Sequence, residues 1–420
     1  MIGWEYPPIL SGGLGIACRG LATALANRGH KIFFLVPRLS GNEERVQNLE
    51  LIDVKSGLEY LSAEEQEMFI SQIPARREEI AYSAYASSEY KPLLKKRGYS
   101  ETDVSAEGAE FLHGGYGGGL YNEVHLYSQF VSLFSKHIGF DIVHTHDWMT
   151  YPAGITAMYR TRKPLICHVH ATEFDRSGDH VNQYVYNLER EAFDRCTKIV
   201  TVSNYTKNIV VNRYGVTPDK VEAIHNAVDF EMHDYLEEER RPFAEKIVLF
   251  LGRITFQKGP DYFVYAAKKV IEKIQNVRFV MVGTGDMYHR IIELAADMGI
   301  GKYFHYTGFL NRDQVQKIFR LSDLYVMPSV SEPFGISPLE AMLHGIPVIV
   351  SKQSGVSEII NHAIKVDFWD VDDIANNITH ILSNPEVSNR LRWNGKSEVA
   401  SITWNDAAQR MESVYYGLKG

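Results

Sequence analysis

The stretch KIVLFLGRITFQKGPDYF (246–263) decides the fold. An apolar run, 246–252, ends on a glycine, and Arg253 follows at once. Lys258-Gly259-Pro260 then opens a helical pattern whose apolar face runs through Phe263, Ala266, Ala267, Val270 and Ile274. Proline suits the first helical position, where its missing N–H would have had no partner. A short apolar strand followed by an amphipathic helix is one unit of a parallel sheet. The unit recurs downstream, with apolar runs at 277–283, 304–308, 323–328 and 346–351, each ending in Gly, Pro or Ser. This alternation predicts an α/β doubly wound parallel sheet covered by helices on both faces. Ligands of such sheets sit beyond the carboxyl ends of the strands. That rule selects Gly252-Arg253, Gly283-Thr284-Gly285, Thr307-Gly308 and the segment 329–335 as the lining of a site.

The first half repeats the alternation with an interruption. A helix over 13–28 leads to a strand at 30–37, and 140–148, 164–170 and 198–203 read as further strands. Residues 56–121 read as an insertion, charged and helical at first and then glycine-rich in HGGYGGGLY. Residues 229–245 carry many charges without strand character and read as a linker. The expected organisation is therefore an N-terminal Rossmann-like domain over 1–228, the linker over 229–245 and a second Rossmann-like domain over 246–403. A C-terminal helix, 404–420, bears Trp404, Ala407, Met411 and Tyr415 on one face and is placed to cross back to the first domain. MIGWEYPP leaves only a stub where a first strand is expected.

At 420 residues the chain is long enough for two cores. Apolar content of 45% and charged content of 23% are those of an ordinary globular protein. A net charge of −8 argues against a nucleic-acid-binding surface. No apolar run is long enough for a membrane span and no signal peptide is visible. Cys18, Cys167 and Cys196 show no metal-like spacing and read as buried, reduced thiols of a cytoplasmic protein.

The chemistry concentrates at four places. Arg253 and Lys258 follow one strand and flank a helix start, an arrangement suited to a diphosphate, although taken alone they also read as a solvated surface pair. SGGLG (11–15), with Gly12 and Gly13, is a second glycine-rich helix mouth whose amides would admit a phosphate. SVSEPFGISPLEAM (329–342) sets Glu332 and Glu340 around a Pro/Gly-framed turn. Two carboxylates suggest acid/base hydrolysis, yet a division of labour is simpler. Gly335 and Ile336 at the helix mouth would receive phosphate while one carboxylate grips a ribose diol and the other sugar hydroxyls. A capping glutamate with a surface partner is the structural alternative. Finally, the aspartates of DVDD (370–373) precede a helical pattern and read as a cap rather than a metal motif.

E-P-F-G-x-x-P-L-E-A-M, preceded by G-R-x-x-x-x-K-G, resembles the nucleotide-sugar half of retaining glycosyltransferases with the GT-B fold, the group 1 families. GGLG near the start, HDW (146–148) and IHNAVD (224–229) resemble the glycogen and starch synthase branch. The resemblance spans nearly the whole chain except 56–121 and implies two Rossmann-like domains facing a central cleft. It implies that Arg253 and Lys258 bind the donor diphosphate, that Glu332 holds the transferred sugar and that Glu340 holds the ribose. His170 would contact the sugar near the reaction centre, His146 and Asp147 would face the sugar or acceptor side, and Asn226 would sit by the hinge. Three positions depart from the synthase pattern: Leu10 replaces a lysine, Ala227 a glycine and Phe334 a cysteine. Leu10 weakens the specific link to glycogen synthase and leaves glycosyl transfer intact.

The expected function is transfer of glucose, with retention, from ADP- or UDP-glucose to an α-1,4-glucan. The nucleotide-sugar is a co-substrate, and no cofactor or metal is required. Three alternatives stay open. One is a same-fold transferase acting on a small sugar, a sugar phosphate or a surface-polysaccharide precursor. The others are a non-catalytic sugar-nucleotide-binding protein and a sugar-nucleotide epimerase. Neither the base, the acceptor nor the oligomeric state is legible.

Overall fold

A computed structural model describes residues 1–9, 12–73, 112–117, 119–228 and 244–418. Leu10, nearly all of the linker and the middle of the 56–121 segment lie outside them. Two parallel sheets, each covered on both faces, carry the chain.

The N-terminal sheet contains β1 (Ile32–Val36), β2 (Leu49–Asp53), β3 (Val143–His146), β4 (Leu165–Val169), β5 (Lys198–Thr201) and β6 (Val221–Ala223). The helices that matter below are α1 (Gly13–Asn27), α2 (Leu120–Phe134), α3 (Tyr151–Thr161), α4 (Glu173–Ser177), α5 (Gln183–Arg195) and α6 (Asn204–Tyr214), and two shorter ones, Val54–Gly57 and Ala63–Ile70, open the 56–121 segment. β1 pairs with β2, and β3 to β6 pair in sequence, all in parallel. The stub at the start joins the two groups: Ile2 bridges Leu35 on one side and Thr145 on the other. The sheet thus reverses direction at Ile2, between β1 and β3.

The C-terminal sheet contains β7 (Lys246–Leu251), β8 (Val277–Val282), β9 (Phe304–Gly308), β10 (Leu324–Met327), β11 (Val348–Ser351) and β12 (Ile364–Val366). Its helices are α7 (Pro260–Ile271), α8 (Tyr288–Asp297), α9 (Arg312–Leu321), α10 (Ser337–Leu343), α11 (Val371–Ser383) and α12 (Pro385–Val399). The strand order is β12-β11-β10-β7-β8-β9, all parallel. The order reverses between β7 and β10. Alternate residues of β7 feed opposite cores, Val248 and Phe250 packing with α7 and α11, Ile247 and Leu249 with α9 and α10. This period of two, buried on both sides, is why the strands read as continuous apolar runs. Asp370 caps α11, its carboxylate accepting from the Asp373 amide at 2.9 Å.

The last helix, α13 (Trp404–Gly417), leaves the second domain and packs on α1 of the first. Trp404, Ala407, Ala408, Met411 and Tyr415 join Phe34, Val36, Ile166 and Val200 in one core. Burying a large apolar side chain contributes about 1.5–3 kcal/mol, so this face alone holds the helix down. Glu412 adds hydrogen bonds from Arg28 (2.6 Å) and His30 (2.8 Å). No described helix is long and apolar enough to cross a membrane.

Candidate functional site

The two reversal points explain how distant residues meet. A strand that turns left and a neighbour that turns right leave a crevice between their carboxyl ends. In the second domain that crevice lies past β7 and β10. Arg253 and Lys258 follow β7, while Glu332 follows β10. The Lys258 ammonium donates to the Glu332 carboxylate across 74 residues of chain. Ser329 also donates to Glu332, at 3.2 Å. Glu332 is buried, only 6% exposed, so the lysine is its principal charge balance.

Arg253 stands exposed beside this pair, with no ion-pair partner among the described residues. Backbone geometry fixes the surroundings. Gly259, the N-cap of α7, has φ +62°, and a Cβ there would overlap the Pro328 carbonyl, so only glycine lets the two loops close. The loops are then tied by the Val330 amide, which donates to the Gln257 carbonyl at 2.9 Å.

Ile336 is the N-cap of α10 and supplies no side-chain cap, and Gly335 precedes it at φ +96°. The mouth of the helix therefore leaves its first amides without a side-chain acceptor. Glu340 lies in the first turns of α10, half-buried. Desolvation raises its carboxyl above the usual range, and Arg312 acts in the opposite sense.

Across the cleft, the ends of β3 and β4 carry the histidines. His144 and His146 lie on one face of β3, and His168 and His170 follow the same alternation on β4. The four rings form a column, neighbouring centroids 4.4–5.3 Å apart. His146 is fully buried, 3.0 Å from His170 between ring nitrogens; it pairs in register with His168, so His170 lies two residues nearer the carboxyl end of the sheet. Asp147, at φ +62°, is turned inward as well. Its carboxylate accepts from the His170 amide at 2.6 Å and the Ala171 amide at 3.2 Å, with Arg176 at 3.5 Å. Asp147 thus holds the loop that presents His170. Gly12 and Gly13 are exposed at the uncapped start of α1, and Asn226 is buried in the segment leading to the linker.

Several residues that close the site carry no local motif. Ser331, next to Glu332, donates to Asp175 of α4 at 2.6 Å, and the Tyr205 hydroxyl of α6 lies 3.0 Å from the same serine. Ser203 donates to the Pro333 carbonyl at 2.5 Å. Glu358 accepts from the amides of Asn204 (2.9 Å) and Tyr205 (2.6 Å) and from His225 (2.7 Å). These bonds join the two domains on both sides of the Glu332 turn. EFDRSG (173–178) was the visible trace of Asp175, a capping-box aspartate followed by a cation, but nothing local shows that it faces the other domain.

The arrangement is a crevice with two cations and an open helix mouth on one wall and a positioned imidazole on the other. It can hold an anionic leaving group beside a polar, hydroxyl-rich one. Residues 231–398 match the model of "Glycosyl transferases group 1", and residues 97–232 match that of "Glycosyltransferase Family 4". An uncharacterized glycosyltransferase of Methanocaldococcus jannaschii is 28% identical over 99% of this chain and 97% of its own length. Glycogen synthase of Mycobacterium tuberculosis is 23% identical over 100% of this chain and 94% of its own. Among solved structures, sucrose-phosphate synthase from Thermosynechococcus elongatus superposes with a TM-score of 0.72 at 19% identity, covering 99% of this chain and 98% of that one.

Proposed function

This chain is a glycosyltransferase with group 1 and family 4 domains on a GT-B fold of two Rossmann-like domains, and from that premise we propose a retaining hexosyltransferase. It moves glucose from ADP- or UDP-glucose onto an α-1,4-glucan, in the cytoplasm and without need of a metal. The observation that carries this reading is the Lys258–Glu332 pair at the reversal point, with Arg253 exposed at the end of β7. A nucleotide-sugar inserts between the paired groups. Lys258 and Arg253 take the diphosphate, and Glu332, released from its lysine, accepts from sugar hydroxyls. Charge-assisted hydrogen bonds of this kind contribute about 1.5–3 kcal/mol each. Gly335 and Ile336 add amides at the phosphate, and Gly12 and Gly13 approach it from the other domain.

Glu340 takes the ribose diol. Its place in the first turns of α10 sets its carboxyl beside the helix mouth, where it accepts from ribose hydroxyls. Asn226 contacts the donor near the hinge. The mechanism is front-face displacement: the acceptor hydroxyl attacks from the side on which the diphosphate departs, and a diphosphate oxygen takes its proton. The C–O bond to the leaving group breaks as the new glycosidic bond forms. Two cations in a desolvated crevice stabilise the departing charge electrostatically, and this is the main source of rate. His170 touches the sugar near the reaction centre. His146 and Asp147 act through it, one backing the ring and the other fixing its amide. The contacts of Ser331 and Glu358 close the domains and keep water from the donor.

A second reading, transfer to a sugar phosphate or another small sugar, is favoured by the likeness to sucrose-phosphate synthase and by Leu10. The test is the purified protein with UDP-glucose and ADP-glucose, offered maltooligosaccharides, small sugars, sugar phosphates or no acceptor, and the anomer of the product. A ladder of α-linked oligomers supports the first reading. A single disaccharide or disaccharide phosphate supports the second, and an inverted product removes the mechanism.

A further inference from the structure

Cys18, His146 and His170 come from α1, β3 and the end of β4, yet one ligand atom of each lies within 4.8 Å of the others. Along the chain these residues have no metal-like spacing, and they converge only because α1 starts over the reversal point of the first sheet. The two imidazoles face each other through Nδ1 of His146 and Nε2 of His170, 3.0 Å apart. The opposite nitrogens, Nε2 of His146 and Nδ1 of His170, have no hydrogen-bond partner among the described residues, so each ring is engaged at one nitrogen alone. We propose that Cys18, His146 and His170 form a binding site for a soft divalent ion such as zinc, overlapping the catalytic cleft.

The donor set, one thiolate and two imidazoles, is that of three-ligand zinc and cobalt sites. A formed site needs ligand separations of about 3.3–3.6 Å, given bonds of roughly 2.0–2.3 Å, so the three side chains close by at most about an ångström and a half. Each ring binds the ion through a neutral nitrogen lone pair, and the thiol gives up one proton to solvent as the ion binds. His170 is partly exposed, which gives the ion a route from the cleft. The neighbouring group His144, His146 and His168 is the weaker candidate. His144 has both ring nitrogens engaged, with the Tyr415 hydroxyl (2.6 Å) and with His168 (3.2 Å).

The site rests on the glycosyl-transfer reading in one respect: an ion on His170 withdraws that ring from the sugar, so metal inhibits transfer. Its existence is tested without turnover, by titrating the full chain with Co²⁺ and recording absorption. One equivalent is expected, with a thiolate-to-cobalt charge-transfer band. Cys18→Ala is expected to abolish the band and weaken binding by at least about a hundredfold, more than loss of an outer-shell partner costs. Cys167→Ala and Cys196→Ala keep both. His146→Gln gives a second variant, and the metal-free unfolding midpoint of each shows that it is folded. No band, or binding indifferent to Cys18→Ala in a folded protein, overturns the site. Zn²⁺ inhibition relative to each variant's own metal-free rate is then compared. A chain that binds cobalt through Cys18 but transfers no sugar keeps the site and loses the functional reading instead.

Discussion

Replacing Lys258 with methionine keeps the length of the side chain and removes its charge. The partner, Glu332, is 6% exposed and then retains, among the described residues, only Ser329 as a side-chain hydrogen-bond donor. Stranding one member of a fully buried pair costs about 3–5 kcal/mol. Here the lysine side chain is 22% exposed, so water compensates part of that loss and about 2 kcal/mol is expected. In a domain of this size that lowers the melting temperature by roughly 4–8 °C. Catalysis falls further, because the ammonium also meets the departing diphosphate. Losing one such preorganised donor costs about 100- to 1,000-fold in turnover. The double variant Lys258→Met/Glu332→Gln separates the two effects. It removes the stranded charge and regains most of the stability, while turnover stays at or below that of the single variant. Thermal unfolding and single-turnover kinetics on the four proteins make the cycle. If turnover returned with stability in the double variant, the pair would be purely structural and the donor site would lie elsewhere.

Two further predictions concern the seams that hold the domains together. Glu358 sits under the start of α6, and although burial opposes its charge, hydrogen bonds from His225 and the amides of Asn204 and Tyr205 bring its carboxyl below the usual 4.5. Its contribution is therefore complete above the unfolded value and fades as pH falls through the folded one. Glu358→Gln is expected to loosen closure at neutral pH, raising KM and the radius of gyration in X-ray scattering, and to flatten the acid limb of the stability profile. An unchanged acid limb would remove Glu358 from the seam. At the other seam, a Cβ on Gly20 would overlap the Trp404 indole. Gly20→Ala is expected to cost about 1–3 kcal/mol by overpacking and to shift Trp404 fluorescence to the red. Truncation of Trp404 to leucine should recover the loss, and a neutral Gly20→Ala would show that α13 is not seated on α1.

What the residues disclosed follows from where each constraint resides. The strands of the second domain were legible because both their faces are buried, which makes apolar runs such as 246–252 continuous. Lys258 and Glu332 were legible as partners of one site because strand ends at a reversal point are adjacent whatever lies between them. Leu49–Asp53 was missed as a strand because it sits at the sheet edge, where Glu50 and Asp53 are tolerated and no apolar run forms. The first three residues show the opposite case: Ile2 hydrogen-bonds to His144 and His146 of β3 while Met1 and Gly3 hydrogen-bond to Leu35 of β1, and no propensity scale registers so short a link. The links Asp175–Ser331 and Glu358–Tyr205 depend on how the domains meet, and short polar side chains on loops give no periodic signal of it. His146 and Asp147 stand out as polar residues at a strand end, but how deep they lie depends on register: His146 pairs with His168, which leaves His170 two residues farther toward the cleft.

The central claim is that the diphosphate of an activated sugar rests on Arg253 and Lys258 at the mouth of α10. A crystal grown with UDP-glucose or ADP-glucose tests it most directly. The account predicts phosphate oxygens within hydrogen-bonding distance of both cations, with Glu332 turned from Lys258 to the glucose hydroxyls. Nucleotide bound elsewhere, with the Lys258–Glu332 pair intact, would contradict it.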